Sequence, residues 1–212
     1  MKNSAKSTLK SVAAMSVISV VCVAILAFGN AFIPKYKPTL DLRTATMINE
    51  MLPTGLSSQS AFDEGYFEML DLNEKKLAAF NKSNRAEPNN KVLAVYKVVK
   101  GEYSGYIVVE AQGQGYSGNA PISLLTAFDA SAAVYDVTLK SQNENSPGTN
   151  GIFLKENFDR FREFVKGKTD VDAGSITAET GATSVYSVKG VANTVKISMK
   201  MAAALNENGG KL

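Results

Sequence analysis

The hydrophobic positions of this chain change regime twice. From Ser11 to Pro34 no residue is charged, and Val12 to Phe32 is built almost wholly from Val, Ala, Ile, Leu, Met and Phe. About 20 apolar helical residues span a bilayer, so the run predicts a transmembrane helix over 11–34. Lys2, Lys6, Lys10 and the amino terminus precede it, whereas Lys35, Lys37 and Arg43 are mixed with Asp41 after it. The positive-inside bias puts residues 1–10 in the cytoplasm and the remainder outside it, as a single-pass protein of the cell membrane. Gly29-Asn30-Ala31 offers the small residues of a signal-peptide cleavage site, but the apolar run is long for that role, and an uncleaved anchor is expected.

Residues 35–90 read as a helical stalk and linker. Leu42, Ala45, Met47, Ile48, Met51 and Leu52 fall near a helical period that stops at Pro53-Thr54-Gly55. A polar stretch, Ser57 to Ser60, leads to a second helical pattern around Asp71 to Phe80, and Asn81 to Asn90 reads as a loop. The pattern then becomes β-branched and aromatic. Val92–Val99 and Gly105–Ala111, joined by Lys100-Gly101-Glu102, predict a hairpin, and Ile122–Ala127 and Ala133–Leu139, joined by Asp129-Ala130-Ser131, predict two further strands. The economical architecture is α+β, a four-stranded antiparallel meander packed with helices, after one N-terminal transmembrane helix. Ser141 to Gly151 is polar and predicts an irregular surface loop. Phe153 to Val165 returns to helical spacing and ends at Gly167; a loop rich in Gly and Asp follows, then a long helix over Ser184 to Leu205. The domain is expected over 91–206, with 207–212 a flexible tail.

Composition narrows the chemistry. The net charge is only +3 and aromatic content is 8%, so no basic stripe interleaved with stacking rings points to nucleic acid. The chain has no His and one Cys. That removes the commonest general base, the usual zinc sites and a Cys-ligated cluster within this chain; no metal ligands or catalytic residues are assigned. Cys22 sits in the apolar run, where a packing role is expected, and no Gly-x-Gly-x-x-Gly stands between a strand and a helix to bind a dinucleotide. Chemistry here calls for a borrowed cofactor.

The informative run is Thr180-Gly181-Ala182-Thr183, directly before the last helix. As residue types alone, its hydroxyls suit helix capping, and its small residues and the free N–H groups of a helix start suit a phosphate. The run resembles the flavinylation motif of the FMN-binding domain in the G subunit of Rnf-type electron transport complexes and the C subunit of sodium-translocating NADH:quinone reductases. The resemblance implies FMN joined through a phosphoester to Thr183, with Thr180, Gly181 and Ala182 completing the cofactor site, and a magnesium-dependent flavin transferase acting on FAD during maturation. Gly113-Gln114-Gly115-Tyr116-Ser117-Gly118 resembles a Gly-Tyr-Gly-containing segment of the family. Ser146, Pro147 and Gly148 resemble part of its Glu-Thr-Pro-Gly-Leu-Gly loop near the flavin, with Asn145 where that loop has Glu. Thr177 stands where the family often has Asp, with Glu179 nearby as a substitute, and Val185 interrupts the usual hydroxyl-rich continuation.

Taken to function, the resemblance implies an electron-carrier subunit of an ion-translocating ferredoxin:NAD oxidoreductase, partnered by the other membrane subunits and by lipid, with no complete active site of its own. The short chain and compact region between anchor and sheet favour the Rnf-type subunit over the quinone-reductase type. A free-standing extracytoplasmic flavoprotein and a non-catalytic assembly module in which Thr183 merely caps a helix are the alternatives.

Overall fold

The computed structural model describes residues 15, 19, 40–116, 121–144, 150–210 and 212. The chain divides into two units, Met1–Lys37 and Pro38–Leu212. In the first, Met15 and Ser19 are helical, and Ser19 Oγ donates to the Met15 carbonyl at 2.9 Å. The rest of the expected membrane helix, and residues 1–10, lie outside the described residues. Among the described residues no helix is long and apolar enough to cross a membrane.

The second unit is α+β, built on a five-stranded antiparallel meander in the order β1 (Phe67–Met69), β2 (Lys91–Val98), β3 (Ile107–Gln114), β4 (Pro121–Phe128) and β5 (Val134–Ser141). The expected four strands are all present. The addition is β1, a three-residue edge strand pairing Phe67 with Val98 and Met69 with Tyr96. Three residues are too few to show an alternating pattern in sequence.

Both faces of the sheet are covered. Helix α6 (Val185–Glu207) lies on one face with α4 (Lys155–Val165) and α5 (Ala173–Thr180), enclosing a core that includes Val95, Val109, Leu124, Phe161, Ile176, Val191 and Val195. Helices α1 (Leu42–Met51) and α2 (Ser58–Asp63) are associated with the other core, where Ala45, Ile48, Leu52 and Ala61 meet Tyr96, Val98, Val108 and Leu125. Helices α1 and α2 therefore form a layer of the domain, whereas β1 joins the sheet and Leu77 and Phe80 of α3 (Glu74–Asn84) pack against the larger core. The apolar stripe of α1 that predicts a helix is also the surface that must leave water, and the sheet supplies its partner.

Helix α3 (Glu74–Asn84) reaches four residues into the segment predicted as a loop, because Asn73 caps its start by accepting from the Lys75 and Lys76 N–H groups and Asn81 stays within its last turn. Helix α5 replaces most of the predicted Gly- and Asp-rich loop: Asp172 accepts from the Ser175 N–H at 2.9 Å and caps a helix that contains Gly174. At the carboxyl end, α6 continues to Glu207, and Leu212 packs against the larger core. The predicted hairpin turn is longer than three residues, spanning the stretch between Val98 and Ile107 with left-handed glycines at Gly101 and Gly105.

Candidate functional site

The site is assembled at the sheet end where β3 finishes, β4 begins and β5 finishes. Pairing of Gln114 with Pro121 and of Ser123 with Ser141 defines that edge. Helix α6 starts over the same edge, because α6 and β3 approach each other at two glycines. A Cβ on Gly113 would lie 2.6 Å from the Gly190 carbonyl oxygen, and one on Gly190 would lie 3.0 Å from the Gln114 carbonyl carbon. No side chain fits between the two backbones there.

Within Thr180-Gly181-Ala182-Thr183 each residue has a separate physical task. Thr180 is the last residue of α5 and only 1% exposed; its Oγ1 donates to the Ile176 carbonyl at 2.7 Å and accepts from the Ala182 N–H at 3.1 Å. Gly181 takes the left-handed conformation, φ 70°, that ends α5, and its N–H donates to the Thr177 carbonyl at 2.9 Å. Ala182 is fully buried in the larger core. Gly181 and Thr183 are exposed, and of the two only Thr183 carries a side chain. The first three residues thus hold the fourth in place, and two of them are closed to any ligand by burial.

Thr183 is fastened through its backbone. Its N–H donates to the Asn150 carbonyl at 3.0 Å, and the neighbouring Ser184 Oγ accepts from the Ile152 N–H at 3.3 Å. Its hydroxyl makes no hydrogen bond with any described residue. Nor does Thr183 cap α6: the cap position is Ser184, which makes no side-chain cap bond, and the first turn holds no acidic residue. The Val185, Tyr186 and Ser187 N–H groups precede the first intrahelical donor, Val188, and are without carbonyl partners in the helix. Thr183 thus presents a hydroxyl beside N–H groups that have no partner among the described residues, at the positive end of a 23-residue helix.

Ser146, Pro147 and Gly148, with Asn145, lie outside the described residues. Both described flanks of that segment meet the site. Asn150 holds the Thr183 backbone, and the Glu144 carboxylate accepts from the Tyr116 N–H at 2.7 Å through Oε1 and from Ser187 Oγ at 2.5 Å through Oε2. Glu144 ties the end of β3 to the first turn of α6 on its buried side, since Ser187 is 3% exposed. On the solvent side of that turn stand Val185 and Tyr186, and the Tyr186 ring meets the Tyr116 ring edge to face with centroids 5.8 Å apart. Of the residues expected to substitute for the family's Asp, Thr177 and Glu179 are both exposed on α5.

Asn150, Glu144, Tyr116 and Tyr186 are site residues that sequence reasoning does not assign. The only signal for them is weak: a tyrosine within a glycine turn and another just after the motif. Among the described residues no group of His, Cys, Asp and Glu is disposed to hold a metal ion. No protein-family model matches this chain, and no curated protein sequence matches it.

Proposed function

We propose that this chain is a membrane-anchored electron carrier bearing FMN on Thr183 through a phosphoester, acting within an Rnf-type ion-translocating ferredoxin:NAD oxidoreductase. The observation that carries the reading is the isolation of the Thr183 hydroxyl: it is exposed, unused by the described fold, and set beside the free N–H groups at the start of α6. A phosphodiester on that oxygen is an anion at a helix N-terminus, where donors and dipole favour it. Thr180, Gly181 and Ala182 supply the turn that exposes it.

In the attachment step the Thr183 oxygen forms a bond to the FMN phosphorus of FAD. The diphosphate bond breaks, AMP leaves with the bonding pair, and the transferase takes the hydroxyl proton. Attached flavin supplies one-electron and two-electron redox chemistry, for which the protein provides position and electrostatics. The sequence holds no His and no Gly-x-Gly-x-x-Gly between a strand and a helix, in keeping with a relay between partners.

A membrane anchor over 11–34 belongs to this reading. Arg43 Nη2 donates to the Lys140 carbonyl at 3.3 Å, so the chain enters the domain at the end of β5, the sheet edge that also carries Glu144 and Thr183.

The test is intact and peptide mass spectrometry of protein purified from membranes after co-expression with a flavin transferase. The peptide containing Thr183 is expected to carry the FMN mass. Unmodified peptide under conditions that label a known substrate of the transferase would overturn the reading.

A further inference from the structure

The three most exposed large apolar side chains described between residues 40 and 212 are Tyr116, Val185 and Tyr186, at 77%, 71% and 63%. All three stand at the Thr183 site. Aromatic rings carry large apolar surfaces that folding ordinarily buries, and an exposed cluster of them marks a place where something else is bound. We propose that Tyr116 and Tyr186 form the stacking face for the isoalloxazine ring of a flavin attached at Thr183, with Glu144 as the positioning residue that holds the two rings together; this rests on the attachment proposed above.

Reach and rigidity favour this occupant. Tyr186 follows Thr183 by three residues, so their Cα atoms are separated by at most about 11 Å, a span suited to a phosphate and a five-carbon ribityl chain. The rings are planted on different elements, one just past the end of β3 and one on the first turn of α6. The close crossing at Gly113 and Gly190 fixes the elements, and the Glu144 carboxylate joins the Tyr116 backbone to Ser187. Because the rings meet at 71°, edge to face, they do not cover each other's faces as a parallel stack would. A flat, electron-poor heterocycle is the ligand class that an electron-rich phenol face takes best.

Such a contact has a signature independent of turnover. Light-excited flavin stacked on tyrosine takes one electron from the phenol ring and returns it in the dark, so its fluorescence is quenched with no net reaction. The experiment uses the full chain co-expressed with a flavin transferase, as wild type, Tyr116→Leu, Tyr186→Leu and the double variant. Peptide mass gives the fraction of Thr183 modified, and fluorescence is divided by that fraction. Wild type should be dim, and the double variant should brighten by about fivefold or more at equal modification, the change in stacked population that loss of one aromatic contact brings. Equal brightness at equal modification overturns the stacking face and leaves the attachment standing. Unmodified wild-type protein overturns both. Should the leucine variants be poorly labelled, iodide quenching of labelled wild type decides: a ring shielded relative to free FMN supports the proposal, and one quenched as readily overturns it.

Discussion

Gly113 and Gly190 touch backbone to backbone where strand β3 passes under helix α6, and neither position has room for a Cβ. The relationship is steric, since neither glycine has a positive φ. Gly113→Ala would drive a methyl into the Gly190 carbonyl and Thr194 Oγ1, and the rigid crossing offers little room to give. Overpacking of this kind costs about 1–3 kcal/mol, and a loss near the upper end is expected in urea unfolding of the protein. The same displacement should part the Tyr116 and Tyr186 rings. An alanine at Gly181 would instead meet open space but adopt φ 70° with a Cβ present, so it should cost less, about 1 kcal/mol.

Thr183→Val separates the proposed chemistry from folding. The side chain is exposed and bonded to no described residue, while the N–H bond to Asn150 belongs to the backbone and survives the change. Stability should shift by no more than about 0.5 kcal/mol. Covalent flavin should be absent from the peptide mass spectrum. Thr180→Val is the informative contrast: it leaves the attacking oxygen in place but removes the hydroxyl that bridges the Ile176 carbonyl and the Ala182 N–H. A buried donor is then left without its partner, and a cost of about 1–3 kcal/mol with reduced labelling is expected.

Those two threonines also mark how far the sequence could be followed. Long elements with a clear period, such as α1, α4, α6 and the four longer strands, were legible because burial imposes a repeat on residues that must leave water. Helix α5 was hidden because its start depends on one Asp172 side chain and its interior includes Gly174, a residue of poor helix propensity. Its discovery changes the meaning of the motif, since Gly181 is the stop signal of a helix and Thr180 is part of the core. The aromatic pair was illegible for a different reason. Tyr116 and Tyr186 are 70 residues apart in sequence, and their meeting depends on Gly113, Gly190 and Glu144, none of which advertises a contact by local pattern.

Asp41 gives a pH-dependent prediction. It caps α1 by accepting the Thr44 N–H at 2.7 Å, and this bond, aided by the positive charges of Lys140 and Arg43, holds its carboxyl below the ordinary aspartate value. A carboxyl with a depressed folded pKa adds stability that is present in full above the unfolded value of about 4 and is lost as the pH falls through the folded value. Asp41→Ala should therefore cost about 1 kcal/mol at neutral pH, and the difference from wild type should shrink below about pH 4. Asp41→Asn keeps a capping oxygen and should show a smaller, nearly pH-independent deficit. Urea denaturation across pH checks both.

The polar group buried on the α1 side of the sheet carries the last prediction. Glu110 Oε2 accepts from the Tyr96 hydroxyl at 2.8 Å and from Lys140 Nζ at 2.8 Å, and Glu110 is only 7% exposed. Lys140→Met leaves that carboxylate with Tyr96 but without its counter-charge, at a cost of about 2–4 kcal/mol, somewhat below a fully buried pair because the lysine side chain retains 20% exposure. Glu110→Leu removes the acceptor shared by the Tyr96 hydroxyl and the ammonium and should cost a similar amount. Joined with Tyr96→Phe, the two substitutions replace the whole cluster by apolar groups of comparable size, so the triple variant should recover most of the stability lost by either single change. A triple variant as unstable as the sum of its parts would mean that the cluster acts through packing alone and not through charge. Because Lys140 also receives Arg43 through its backbone carbonyl, which no side-chain change removes, the entry of the chain into the domain should be preserved in every variant, and labelling of Thr183 should follow stability and nothing else.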